Sequence, residues 1–198
     1  MKSNQSKNKS LQIFSITISL ILSAILIFLI FYNVQKVKRI KNYAQLASTS
    51  FGIETSLIVA IIRVESNFNC KAVSNKGAKG LMQITDDTFI YTCQMYTLDY
   101  KVEDIFDEQI NIIVGTCYLK YLFTKFKSVN EVLASYNAGE TNVRSWLKDK
   151  SLSKDGKTLD NIPFLETKKY VEKVNYFYNY YKEKLNESSS SKSYKNNT

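Results

Sequence analysis

One glutamate closes an apolar helical stripe in this chain, and a glycine-bearing run follows it at short range. Ile58, Ile61, Ile62 and Glu65 recur at i, i+3, i+4 and i+7, so one helix face carries all four. A carboxylic acid that continues such a stripe is costly to ionise unless a partner compensates it. A desolvated Glu keeps its proton near neutral pH, which is the condition a general acid must meet. The competing reading of Glu65 alone is a helix-end carboxylate that faces solvent or pairs with a Lys. Other common chemistries lack their residues. The sequence has no His, and Cys70, Cys93 and Cys117 show no metal-site spacing. Zinc hydrolysis and Ser-His-Asp catalysis are therefore not expected, and neither a metal nor another cofactor is implied. The three thiols read as buried and free, with one disulfide left open for a domain outside the cytoplasm.

Glycoside cleavage usually needs two carboxyl groups flanking the bond. Asp86 and Asp87 read more naturally as a helix N-terminal pair, stabilised by the helix dipole. Asp99 to Glu108 reads as a solvated connection. Glu166 is the best second acid, and the reason comes from the motifs around it.

Glu65-Ser66 is followed by Ser74-Asn75-Lys76-Gly77-Ala78-Lys79-Gly80-Leu81-Met82-Gln83. Further on stand Asn111-Ile112, Gly115 and Tyr118-Leu119, then Ser135-Tyr136-Asn137-Ala138-Gly139 with Val143 and Trp146 trailing. Ile162-Pro163-Phe164-Leu165-Glu166-Thr167 and Tyr170-Val171 close the series. Taken together, about residues 43 to 184 resemble the soluble lytic transglycosylase family of lysozyme-like enzymes. Each motif is weak alone, but five in the family's order are specific. Two departures stand out. Thr85-Asp86 occupy the place of a Met-Pro pair, so a sugar-contacting Met has no counterpart here. Ser135 replaces the usual Ala, a change expected to matter little.

The resemblance implies a chemistry in which one Glu acts first as acid and then as base. Glu65 would protonate the oxygen joining N-acetylmuramic acid to N-acetylglucosamine in peptidoglycan. The C6 hydroxyl of the same muramic sugar would then close onto C1, giving a 1,6-anhydro end. By the same resemblance Ser74 and Gln83 would hydrogen-bond the sugar. Tyr136 would orient Glu65 or the substrate, Asn137 and Gly139 would shape the cleft wall, and Glu166 and Tyr170 would close it. Two alternatives stay open: a goose-type hydrolytic lysozyme using activated water, and an inactive peptidoglycan-binding scaffold of the same fold. The presence of Glu65, Gln83 and Tyr136 speaks against the scaffold.

These residues need helices to position them. Thr55 or Ser56 can cap a helix running to about Asn67. Lys71 to Gly80 reads as a loop, and Gln83 onward as a helix with Phe89, Tyr91 and Met95. Ile112 to Leu122 marks a long apolar helix, and Val129 to Tyr136 a short one. Lys148 to Asp160 reads as polar and flexible. From Thr167, the residues Tyr170, Val174, Phe177, Tyr178 and Tyr181 recur at helical spacing, which suggests core packing. No alternating strand pattern of any length is present. The expected fold is mostly α: a lysozyme-like helical domain behind a single N-terminal transmembrane helix.

The ends of the chain carry the rest of its organisation. No residue from Ser10 to Gln35 is charged. As a helix this run would span about 39 Å, more than the roughly 30 Å of bilayer hydrocarbon. It is longer than the apolar region of a signal peptide, and no small-residue cleavage site closely follows it. The expected layout is a basic segment at 1–10, a membrane anchor at 11–34, a basic linker at 35–50, a catalytic domain at 43–185 and a disordered polar tail at 186–198.

Net charge is +9, and residues 1–41 hold seven of the 27 basic residues and none of the 18 acidic ones. The basicity is therefore a juxtamembrane feature, suited to anionic headgroups or wall polymers. It is not a basic face of the folded domain, so no nucleic-acid partner is expected. Three basic residues precede the apolar run and four follow it, so charge alone does not set orientation. A domain facing the cell wall is expected from its function.

Overall fold

The computed structural model describes the backbone of residues 2–195 and the side chains of residues 14–185. Its first helix, α1, is Lys2–Phe51, and the chain divides into a unit of residues 1–39 and a unit of residues 40–198. In the first unit the apolar side chains from Phe14 to Val34 all point outward. Phe14, Leu20, Ile27 and Phe28 are each about 60 % exposed or more. A helix that is apolar all round and covered by nothing is the form suited to lipid. Phe14–Phe51 contains a stretch long and apolar enough to cross a membrane.

The second unit begins inside α1. Ile40, Ala44 and Ala47 are buried at i, i+4 and i+7, and Lys41 lies 5.0 Å from the Tyr181 ring centroid. The end of α1 is thus part of the folded domain, where a basic linker was expected over residues 35–50. The charges that suggest a linker occupy the other faces of the same turns.

α2 is Thr55–Glu65. Every residue from Ser56 to Ile62 is buried, not only the stripe read from the sequence, because α2 runs through the centre of the domain. Its N-cap is Glu54, and Ser56 Oγ bonds back to the Glu54 carboxylate, so neither Thr55 nor Ser56 is the cap. Two left-handed residues, Asn67 at φ 50° and Phe68 at φ 62°, turn the chain immediately after α2. Asn tolerates that region, whereas Phe does not readily. The Phe68 ring is buried, which holds the turn in place.

α3 is Asp86–Tyr96, capped by the Thr85 side chain, so the helix begins three residues later than Gln83. Asp86 and Asp87 fill its first turn, and Asp86 also pairs with Lys79 at 2.8 Å. A short 3-10 helix, Val102–Phe106, leads into α4, Glu108–Lys125, whose cap is the Asp107 carboxylate. α5 is Val129–Ala138 and α6 is Glu140–Lys148. The segment after α6 is tied together by its own side chains, not loose. Asp155 accepts bonds from the Lys157 and Thr158 amides, and Asp160 from the Lys154 amide.

α7 is Leu165–Lys195 and packs along α2 and α5. Its helical backbone includes residues 186–195, which composition suggests as a disordered tail. Extending a formed helix adds one bond per residue fixed, without a new nucleus. Residues 196–198 of that tail lie outside the described residues. Among the described residues no strand forms; only isolated bridges join Val73 to Lys79 and Lys79 to Ile84. Cys70, Cys93 and Cys117 are free, the last two buried.

Candidate active site

Glu65 is the last residue of α2, and it opens onto a cavity of about 690 Å³. Val64 and Asn137 line the cavity beside it, and α7 supplies the facing wall with Glu166, Lys169, Tyr170, Glu172, Lys173 and Tyr176. Burial pushes the Glu65 carboxyl up to about 7. The buried Tyr170 hydroxyl, which makes no hydrogen bond of normal geometry, lies near enough to Glu65 to pull that value part of the way back. Glu65 is therefore protonated in a useful fraction at neutral pH, and the proton faces a cavity.

The loop that follows Glu65 is fastened by three side chains. Ser66 Oγ donates to the Leu81 carbonyl at 2.8 Å, and Tyr136 Oη donates to the Met82 carbonyl at 2.7 Å. Asn111, fully buried on α4, accepts from the Met82 amide and donates to the Lys79 and Ile105 carbonyls. Gly80 sits at φ 78° against that Asn, where a Cβ would lie 2.3 Å from Asn111 Nδ2. Gly115, one turn along α4, leaves room for the Met82 side chain, which a Cβ would approach to 2.5 Å. The Asn-Ile-x-x-Gly spacing on α4 thus has a physical reason. Asn111 holds the loop backbone, and Gly115 admits its side chain.

Of the residues singled out in the sequence, Glu65, Asn137, Glu166 and Tyr170 come together around the cavity. Asn137 Oδ1 accepts from the buried Thr167 hydroxyl at 2.8 Å, which joins α5 to α7. Tyr136 stands behind the cavity, close enough to Glu65 that burial and the carboxylate together raise its hydroxyl well above the usual range. Glu166 is exposed and pairs with Lys76 at 3.4 Å. Ser74 and Gln83 do not line the cavity. Ser74 Oγ accepts from the Lys76 and Ala78 amides, and Gln83 Nε2 donates to the Ala72 and Gly80 carbonyls.

Sequence reasoning placed Ser66 in a motif without a role for it, and it did not single out Lys169, Lys173 and Tyr176. The α7 residues carried a signal. Lys169 and Lys173 stand three and seven residues after Glu166, on the face that Tyr170 brings to the cavity. No group of three or more metal-ligating side chains occurs among the described residues.

The sequence pattern of the transglycosylase SLT domain matches residues 42–158. The soluble lytic murein transglycosylase of Salmonella typhimurium is 38 % identical over 135 residues, which is 66 % of this chain and 21 % of that protein. Membrane-bound lytic murein transglycosylase C of Photorhabdus laumondii is 30 % identical over 164 residues, 70 % of this chain and 46 % of that protein. The chain therefore spans about a fifth of the length of the soluble relative and under half of the membrane-bound one. Among solved structures, an inactive mutant of the lytic transglycosylase Slt of Pseudomonas aeruginosa superposes with a TM-score of 0.64. It is 29 % identical, over 73 % of this chain and 24 % of that one. A 70-kDa soluble lytic transglycosylase in complex with bulgecin A gives a TM-score of 0.65 at 31 % identity, again over 73 % of this chain and 24 % of that one.

Proposed function

The chain belongs to the transglycosylase SLT domain family, and from that premise we propose that it is a membrane-anchored lytic transglycosylase acting on peptidoglycan. The observation that carries the reading is a single carboxyl, Glu65, desolvated at the edge of a cavity and holding its proton near neutral pH. The Glu65 proton goes to the glycosidic oxygen between N-acetylmuramic acid and N-acetylglucosamine. The C1–O bond breaks, and the electron pair leaves with the N-acetylglucosamine oxygen. The ionised Glu65 then accepts the proton of the muramic C6 hydroxyl as that oxygen bonds to C1. Glu65 ends protonated, the product ends in a 1,6-anhydro ring, and no water is consumed. The internal attack gains from proximity.

Around this step Asn137, Glu166 and Tyr170 are assigned to the substrate wall. Tyr136 keeps the loop and Glu65 in register. Ser74 and Gln83, which do not line the cavity, are assigned contacts to the glycan outside it, through groups their loop bonds leave over. A hydrolytic reading has one observation in its favour, since Glu166 and Glu172 line the same cavity as Glu65. Digestion of purified peptidoglycan in ¹⁸O-labelled water separates the two. Anhydro-muramic ends without label are expected. Reducing muramic ends carrying one labelled oxygen would move the chain to the lysozyme reading.

The outward-facing apolar helix of residues 14–34 supports anchoring in the membrane. We assign a single pass, with the catalytic unit on the wall side where the substrate is. Protease added to intact wall-stripped cells is expected to remove that unit, and its full protection would reverse the orientation.

A further inference from the structure

α7 presents two like charges to the catalytic cavity, and neither is paired with the carboxylates that line it, Glu65, Glu166 and Glu172. Lys169 and Lys173 are one helical turn apart and both line the cavity. Ammonium groups four residues apart repel and cost the helix stability. The carboxylate that could relieve Lys169, Glu166 one turn earlier, is paired with Lys76 of the glycine-bearing loop instead. Among the described residues neither Lys169 nor Lys173 makes an ion pair or hydrogen bond. Both are exposed, and so is Tyr176, which lines the same wall beyond them. Nor do the two lysines hold Glu65, whose carboxyl is shifted by burial first and then by Tyr170. A pair of cations that faces the substrate space and pairs with no protein group fits an anionic part of the substrate.

We propose that Lys169 and Lys173 form a carboxylate subsite on the α7 wall, which takes the acidic side arm of the muramic residue cleaved at Glu65. The subsite rests on the transglycosylase reading and refines it by naming a charged substrate class. The muramic side arm ends in a lactyl carboxyl. In strands without peptides that carboxyl is free. In strands that keep their peptides it is an amide, and the peptide carries carboxylates of its own. Both sources offer the same group to a lysine pair.

The test compares three soluble glycan substrates with the full chain in detergent. The first keeps its peptides, the second has been stripped by an amidase, and the third keeps its peptides with all carboxyls converted to amides. New chain ends of either kind are counted, so the assay does not depend on anhydro products. The double variant Lys169→Gln/Lys173→Gln is expected to raise KM about tenfold on a carboxylate-bearing substrate and leave kcat unchanged. On the amidated strands wild type and variant should coincide. Lys169→Arg/Lys173→Arg should recover most of the affinity, which a loss of folding would not allow. A larger effect on the first substrate assigns the peptide carboxylates, and a larger effect on the second assigns the lactyl group. Equal KM for wild type and the Gln variant on every substrate overturns the subsite alone. An equal loss on all three, amidated strands included, overturns it as well by showing a structural role. Wild-type protein that cleaves none of the three overturns the transglycosylase reading and the subsite with it.

Discussion

At the scale of single residues, the strongest determinant is the environment of one carboxyl. Glu65 has its pKa raised from 4.5 to about 7, by burial first and against the counter-pull of Tyr170. Its folded form therefore binds more protons than the unfolded chain between about pH 4.5 and 7. Stability falls as pH rises through that window, and the full penalty stands above it. The difference is at most about 3 kcal/mol. Thermal melts of wild type and Glu65→Gln should nearly coincide at pH 4.5 and separate above pH 7, with the variant the more stable. The same variant should lose about 10²-fold or more of its cleavage activity. In wild type kcat/KM should decline above about pH 7, as the acid form is lost. Melts that separate in the opposite order would mean that Glu65 is stabilised as a carboxylate and is no acid. A second residue-scale expectation concerns Ser135, whose buried hydroxyl has no partner. Ser135→Ala should leave activity intact and raise stability by about 1 kcal/mol in urea unfolding, because an unsatisfied buried group is removed.

At the scale of elements, the site depends on how α4 and α5 grip the loop after α2. Asn111→Ala would leave the Met82 amide and the Lys79 and Ile105 carbonyls without their partner. A cost of about 3 kcal/mol or more is expected, since each orphaned buried group costs about 1–3 kcal/mol. Activity should fall with it, because the Leu81 and Met82 carbonyls that Ser66 and Tyr136 hold would shift next to Glu65. Urea unfolding alongside turnover measures both, and an unchanged midpoint would mean that the loop is held by other contacts. These elements were unequally legible. The helix that ends at Glu65 and the long α4 helix were legible from their apolar residues, although both bury more than the one face that periodicity suggests. The end of α1 was hidden because charges outnumber the buried residues Ile40, Ala44 and Ala47, two of them small. The start of α3 was misplaced because a left-handed Gln83 at φ 49° leaves no mark in side-chain pattern. Glu65, Asn137, Glu166 and Tyr170 could be read as one site from motifs. Lys169 and Lys173 share the Tyr170 face, but that spacing alone did not single them out, because exposed lysines on a helix ordinarily mean only a solvated face.

At the scale of the whole molecule, the expectation turns on where the membrane-suited unit ends and the folded unit begins. Residues 14–34 present apolar surface on every side, and Ile40 opens the buried set of the second unit. Few residues lie between them, so the cut that frees the domain has a narrow place. A chain starting at Lys36 drops the apolar helix and keeps Ile40, Ala44 and Ala47 with basic residues ahead of them. It should be soluble without detergent and as active on soluble strands as the full chain. A chain starting at Gly52 also drops the apolar helix, yet it removes three buried side chains and uncovers what they pack on. Deleting a buried Ile side chain alone costs about 2–5 kcal/mol, a large share of a domain's stability of about 5–15 kcal/mol. The Gly52 chain should therefore melt well below the Lys36 chain or collect as aggregate. The full chain should stay with membranes through a high-salt wash that strips proteins held only by charge. Equal melting temperatures for the two shortened chains would show that residues 40–51 are a linker after all. Release of the full chain by salt would show that its basic residues, and not its apolar helix, bind it to the membrane.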